Sequence, residues 1–581
     1  MPAGPDWGYR FTVVPTFPAI VAFELAHRTA ANRERMEQIH AVNRRFSLEM
    51  DCALVDYVGR MCAKANRDVL VLLPEDVQPT AEELLHFKPL EGVPVHILRL
   101  RFLILRNFNR RLQSVLPLVD LSRPDHESAL AAMVRKLRGL IFGTVKRKLW
   151  STVLEESSCG DGHKIQKDKD PQATVDRNRA QAHAKTGQPD MKGTRTVFGQ
   201  LMQQLHWAAP RTLRNSQRAW YTILAGEQAD DYGGPYREVF GQASTDLMSP
   251  ALPLFVRCPN HFDDLGENRD VWLPNPKATT PTLLSMYAFL GKLMGIAIRT
   301  KNPMALNLAS LVWKPLVQQP LFFDEDVRAA DLNTWKKVRA ISEMAEDDGH
   351  GRNRAAWAAM VEDLELRFVA YGADRQKVEL VPGGRDMTVS WAARHEYLRM
   401  VERLRLGEAR RHCDAIARGM ATQVPRFLLS LFTWRELEEM VCGPPEIDVD
   451  QLETYTVYGE GLTKDDPSVR RFWSVMRAFT PEEQTKYVRF VWGRSRLPVS
   501  VEDWGRRHQI NRLKKKDPDK YLPIAHTCFF TLDLPEYTSR HTCKQKLLYA
   551  ITHCIAIDAD NTTVARQAAA AAGWVDDDEE D

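Results

Sequence analysis

Six side chains near the end of the sequence could do covalent or metal chemistry: His526, Cys528, His541, Cys543, His553 and Cys554. Thiolate and imidazole are the preferred ligands of zinc. The spacing argues against a zinc knuckle, because His-x-Cys occurs twice and is followed by an adjacent His-Cys pair. Cys543 and Cys554 instead share a helical apolar pattern with Leu547, Leu548, Ile551 and Ile555, as small core residues do. Cys528 stands apart, at a loop-to-strand transition just after the polar stretch Lys514 to Lys520 and just before Phe529 and Phe530. In an extended segment His526 and Cys528 project to the same side, since side chains repeat every two residues. An imidazole and nearby cations favour the thiolate, which is the nucleophile. From the residues alone two readings stay open: a reactive thiol, or a buried one flanked by aromatics.

Other chemistries lack their sequence support. No G-x-x-x-x-G-K-[ST], no helix-opening G-x-G-x-x-G, no H-E-x-x-H and no G-x-S-x-G occurs. With 44% hydrophobic and 27% charged residues the composition is globular, which excludes a mainly disordered or collagenous chain. The formal net charge is only +3, so no strong overall field marks a nucleic-acid binder. That total includes six acidic residues, Asp576 to Asp581, so the remainder is more basic than the sum suggests. Nine cysteines are too few for a disulfide scaffold. The N-terminus lacks a secretory pattern, and the longest apolar stretch, Leu283 to Ile298, is broken by Lys292 and short for a bilayer. The expectation is a reduced, cytoplasmic or cytoplasmic and nuclear protein with no integral membrane segment and no nucleic-acid partner.

The elements that must position these residues follow from periodicity. Residues 1–154 read as mostly helical, and Val95 to Leu112 reads as a core helix whose arginines reach solvent along their stems. Residues 155–196 lose their large apolar side chains and read as a polar, disordered linker. Beyond about Thr196 the apolar pattern returns. Thr280-Pro281 signals a helix start, and Leu283, Tyr287, Leu290, Met294 and Ala297 sustain it. Strand-like runs occur at Glu365–Ala370, Lys377–Val381, Lys486–Trp492 and Thr527–Leu532. Helices and strands mixed without regular alternation give an α+β class. No repeat of 20–50 residues is present.

The segment LPIAHTCFFTLDLPEYTS resembles the active-site segment of HECT-type ubiquitin ligases, whose pattern runs LP-x-[AS]-HTCF and then LP-x-Y-x-S. Further landmarks of that family follow in order: Asp231-Tyr232-Gly233-Gly234-Pro235-Tyr236-Arg237-Glu238-Val239-Phe240, Val381-Pro382-Gly383-Gly384, Glu436-Leu437-Glu438 with Cys442-Gly443, Phe472-Trp473, and Phe490-Val491-Trp492-Gly493. The stretch ILRNFNRRLQSVLPLVDLS resembles the region before the HECT domain in HERC-type ligases.

The resemblance implies a bilobal domain: an N-lobe over 197–480, with a conjugating-enzyme-binding subdomain at about 332–413, and a C-lobe over 481–581 that carries the catalytic cysteine and the acidic tail. A hinge is expected at Ala478-Phe479-Thr480-Pro481. Cys528 would accept ubiquitin as a thioester from a charged conjugating enzyme and pass it to lysines of protein substrates. His526 and Thr527 would orient and polarise the site, and Phe529 would anchor the strand by packing. Trp335, Val338, Ile341, Met344, Tyr397 and Met400 would form the conjugating-enzyme groove, with Glu346-Asp347-Asp348-Gly349 offering acidic contacts. No cofactor or metal is expected. The alternatives are an inactive scaffold that binds a conjugating enzyme, and a zinc-binding or cysteine-hydrolase domain. Two departures from the family pattern stand out: Asp578 lies where an aromatic residue is usual near the end, with Trp574 as its substitute, and Trp492 replaces a frequent threonine.

Overall fold

The structure is a computed structural model that describes residues 45–553 except 66, 81–82, 85–86, 122–128, 160–169, 228–230, 232, 267, 347–351, 364, 445–446, 460, 493–496, 498–506 and 527–528. The described residues form two compact units, one of residues 45–157 together with Pro425–Thr433, the other of the remaining described residues.

In the first unit, helix α1 (Leu48–Lys64) starts at Ser47, whose hydroxyl accepts from the Met50 N–H at 3.2 Å. Helix α2 (Val95–Val115) buries Leu98, Phe102, Leu105 and Leu112, as its periodicity predicts. Its arginines do not all reach solvent. Arg101 is fully buried against Asp51, and Arg106 and Arg110 donate to the carbonyls of Leu72 and Leu70. Arg101 and Arg106 are therefore held inside the unit, which corrects the snorkelling expectation for these two. Helices α3 (Ala129–Lys136) and α4 (Gly143–Glu156) follow, and Trp150 of α4 meets Phe432 edge-on at 5.3 Å.

The second unit begins inside the stretch expected to be a disordered linker. Residues 170–196 are folded. Strand β1 (Gln172–Val175) buries Ala173 and Val175, and helix α5 (Arg177–Ala184) is capped by Asp176. Asp190 accepts backbone hydrogens from Thr194, Arg195 and Thr196. Burial alone would raise that carboxyl, but the three donors hold it below its ordinary value. Composition misleads here because order comes from side-chain-to-backbone bonds and two buried apolar residues, not from apolar density.

After α6 (Val197–Leu205), strand β2 (Tyr221–Leu224) pairs in parallel with β1. Helix α7 (Gly234–Leu247) leads to the antiparallel pair β3 (Phe255–Arg257) and β4 (Trp272–Pro274). The family-like DxGG segment joins β2 to α7. Asp231 accepts from the Thr222 and Gly233 N–H groups at 2.9 and 2.8 Å and pairs with Arg218. Glu238 on α7 and Glu227 grip Arg177 of α5, which ties the polar segment down.

Helix α8 (Pro281–Thr300) is capped by Thr280 as expected. By length and composition it could cross a membrane, yet 72% of its apolar window is buried inside the protein. Next come α9 (Leu332–Ala345), α10 (Arg352–Asp363), the antiparallel pair β5 (Val369–Tyr371) and β6 (Lys377–Glu379), α11 (Arg394–Gly407) and α12 (Arg410–Ala421).

The C-terminal module has its own core. Helix α13 (Val449–Thr454), β7 (Val457–Tyr458), α14 (Pro467–Ala478), α15 (Pro481–Trp492), β8 (Gln509–Leu513), β9 (Ile524–His526), β10 (Thr531–Pro535) and α16 (Arg540–His553) build it. Four strands lie in the order β7-β8-β10-β9, parallel except for β10 against β9. The expected strand at Lys486–Trp492 is helical. Tyr487, Val488, Val491 and Trp492 are buried at positions i, i+1, i+4 and i+5, one face of α15.

The module does not begin at residue 481. Val449, Leu452, Val469, Phe472, Trp473 and Met476 share one core with Ile510, Leu532 and Leu547, and Phe479 at the expected hinge is buried in it. Thr480 and Glu483 cap each other reciprocally, with Thr480 N–H donating to Glu483 at 2.8 Å and Glu483 N–H donating to Thr480 at 3.3 Å. Residues 478–481 are thus a tight helix–helix turn inside one core. The α+β class stands, with helices dominant and the sheets small.

Candidate active site

Cys528 and Thr527 lie outside the described residues, but the residues on either side define their setting. His526 ends β9, and the Phe529 N–H donates to its carbonyl at 2.9 Å. Phe530 then adopts φ +56, a left-handed conformation that costs a non-glycine residue energy. The turn sends its ring into the core, where it stacks on Trp492 at 4.2 Å with 7° between planes. Trp492, the unusual residue at its position, therefore has a partner.

This geometry corrects one expectation. Phe529 is 60% exposed; Phe530, fully buried, is the anchor. The positive φ at Phe530 turns its ring, in place of that of Phe529, into the core.

His526 is half-exposed, and its Nε2 lies 2.9 Å from Asp533 Oδ2. Beneath the turn sits a histidine that the motif did not single out. His508 is fully buried, with Nδ1 2.8 Å from Thr456 Oγ1 and Nε2 2.8 Å from Tyr487 Oη. Burial pushes its pKa down to about 3, so the ring is neutral. Cys543 is likewise a core residue, its thiol pushed up to about 12 by burial. It is a poor nucleophile for that reason. Cys554 lies outside the described residues.

Five of the six groove candidates, all but Met344, are brought into one cluster, but not as an open wall. Val338 and Tyr397 are buried in the core of the 323–406 subdomain, where Trp335, Ile341 and Met400 pack as partly buried neighbours. Met344 is half-buried on α9. The Trp335 indole N–H donates to Asp324 at 2.8 Å and the Tyr397 hydroxyl to the Val369 carbonyl at 3.4 Å. Asp331, which caps α9, and Glu408 both pair with the buried Arg405 of α11. Met400 alone of the six lines a cavity of 430 Å³, together with Phe368, Val381, Pro382, Met387 and Ala393. Met387 is 47% exposed at its rim, and helical spacing on α9 and α11 gave no signal for it. Asp347, Asp348 and Gly349 lie outside the described residues.

Residues 242–558, more than half of the chain, match the model of the HECT-domain (ubiquitin-transferase) family. The chain belongs to the HECT family. The E3 ubiquitin-protein ligase HERC2 of Mus musculus is 35% identical over 492 residues, which cover 83% of this chain and 10% of that protein. The probable E3 ubiquitin-protein ligase HECTD4 of Homo sapiens is 28% identical over 547 residues, 88% of this chain and 13% of that protein. The E3 ubiquitin-protein ligase UPL2 of Arabidopsis thaliana is 28% identical over 354 residues, 60% of this chain and 9% of that protein. The chain thus spans about a tenth of the length of these relatives. The HERC2 alignment is longer than the HECT match, so the HERC-type likeness extends beyond the HECT domain.

Proposed function

We propose that this chain accepts ubiquitin on Cys528 and passes it to substrate lysines. The observation that carries this reading is that the LPIAHTCFF segment falls inside the HECT-family match over 242–558. In the first step the Cys528 thiolate attacks the thioester carbonyl of ubiquitin on a conjugating enzyme. One C–S bond forms as another breaks, so the exchange is near isoenergetic and depends on positioning. In the second step a substrate amine attacks the new thioester, and the Cys528 sulfur leaves as thiolate. The amine must shed a proton, for which His526 on β9 is the nearest described base in sequence. The conjugating enzyme docks on the 332–413 subdomain, with the cavity beside Met400 and Met387 as the apolar part of its seat.

The test is incubation with activating enzyme, conjugating enzymes and ubiquitin. A reductant-sensitive adduct should form, vanish in Cys528→Ala and persist in Cys543→Ala. Binding of a conjugating enzyme with no adduct from any of them would leave a scaffold and overturn the ligase reading.

A further inference from the structure

One face of the C-terminal sheet carries a row of half-buried polar side chains that ends at the exposed His526. Gln509 Nε2 donates to Asn511 Oδ1 at 2.7 Å, and Asn511 Nδ2 donates to Asp533 Oδ1 at 3.0 Å. Asp533 Oδ2 is 2.9 Å from His526 Nε2. Strand register builds this row: Asn511 on β8 lies opposite Asp533 on β10, and His526 on β9 lies opposite Thr531, one diagonal step away. Ile510, Leu532 and Leu534 point to the other face and are buried. Gly459, just after β7, makes room for the row. A Cβ there would lie 2.2 Å from Asn511 Oδ1 and 3.0 Å from Gln509 Nε2.

We propose that Asp533, held by Asn511 and Gln509, is a positioning residue for His526 in the discharge of ubiquitin. The hydrogen-bond senses determine what it does. An ionised carboxylate only accepts, so the His526 Nε2 must carry a hydrogen, and in the neutral ring Nδ1 is then the free base. As the substrate amine forms its N–C bond and the C–S bond breaks, the electron pair leaves on the Cys528 sulfur. The amine proton passes to His526 Nδ1, and Asp533 faces the imidazolium that results. An asparagine at 533 can offer N–H to Nε2 and so favour the opposite tautomer, with Nδ1 occupied.

The inference rests on the ligase reading, and the experiment separates the two. Full-length protein is charged with ubiquitin, the supply is quenched, and loss of the thioester to free lysine is followed. Asp533→Asn should charge as the wild type does and then discharge about tenfold more slowly, a loss within the range of general-base catalysis. Asp533→Glu should recover part of the rate, and Gly459→Ala, which crowds Asn511, should slow discharge without touching His526. Nitrogen-15 shifts of the His526 ring should report Nε2–H in the wild type and Nδ1–H in Asp533→Asn. Wild-type discharge by a charged Asp533→Asn protein, or an unchanged tautomer, would overturn the role of Asp533. Failure of the wild type itself to charge would overturn the ligase reading and this inference with it.

Discussion

His508 has no place for a second proton. The Thr456 hydroxyl donates to the Leu452 carbonyl at 2.6 Å, so its oxygen accepts from His508 Nδ1–H. Nε2 must then accept from Tyr487, whose hydroxyl burial keeps protonated, well above its ordinary pKa. The folded-state pKa of about 3 lies below the unfolded value of 6.5, so only the unfolded chain takes up this proton as the pH falls. The stability involved is fully present above pH 6.5 and is lost at about 1.4 kcal/mol per pH unit from there toward pH 3. Urea midpoints measured between pH 7.5 and 5 should fall accordingly, and His508→Gln, less stable at pH 7.5, should show a shallower slope. A wild-type midpoint that does not move below pH 6.5 would contradict the assignment. The contrast with His526 is instructive. Both are histidines on one module, but only the half-exposed one can exchange a proton with a substrate.

Among the elements, α8 and α12 cross more closely than side chains would permit. A Cβ at Gly291 would lie 1.9 Å from the Ile416 carbonyl oxygen, and one at Gly419 would lie 1.7 Å from that of Ala288. Both obstacles are backbone, so neither can rotate away. Gly419→Ala should therefore lower stability by about 1–3 kcal/mol, the usual cost of overpacking, despite alanine's better helix propensity. Thermal unfolding followed by circular dichroism checks this, and an unchanged midpoint would refute the close crossing. From Phe289 to Thr300 every residue of α8 is buried, which is why this part reads as apolar all round. Of its two buried cations, Arg299 donates to the Gln423 carbonyl, and Lys292 donates to the carbonyls of Leu205, His206 and Ala208, where burial pushes its pKa down to about 8.

At the scale of the molecule, the boundary of the C-terminal module moves toward the N-terminus. A cut at Pro481 would remove α13 and α14, whose apolar side chains fill the same core as α15 and α16, and would strip β7 from β8. A fragment starting at Gly443 should unfold cooperatively and give a dispersed amide spectrum, whereas one starting at Pro481 should do neither. Equal behaviour of the two fragments would refute this boundary. The family landmarks were legible as local strings, and so was the Thr280 cap. The module boundary was not, because a proline after a helix looks the same at a lobe junction and at a tight turn. The folded state of residues 170–196 was also illegible, since Arg177 meets Glu227 and Glu238 only after the chain has returned.

The sequence alone determined the family, because its landmarks are short strings whose order and spacing are written along the chain. It also determined the α+β class, through the periods of its apolar residues. Tertiary structure decided which of two adjacent phenylalanines is the anchor, which arginines are buried, which histidine stays neutral and which carboxylate holds the other. Apart from Asp533, which lies near His526 in sequence, the partners are tens of residues away, such as Trp492 for Phe530 or Asp51 for Arg101. Burial is a property of the assembled neighbourhood, and no local pattern carries it.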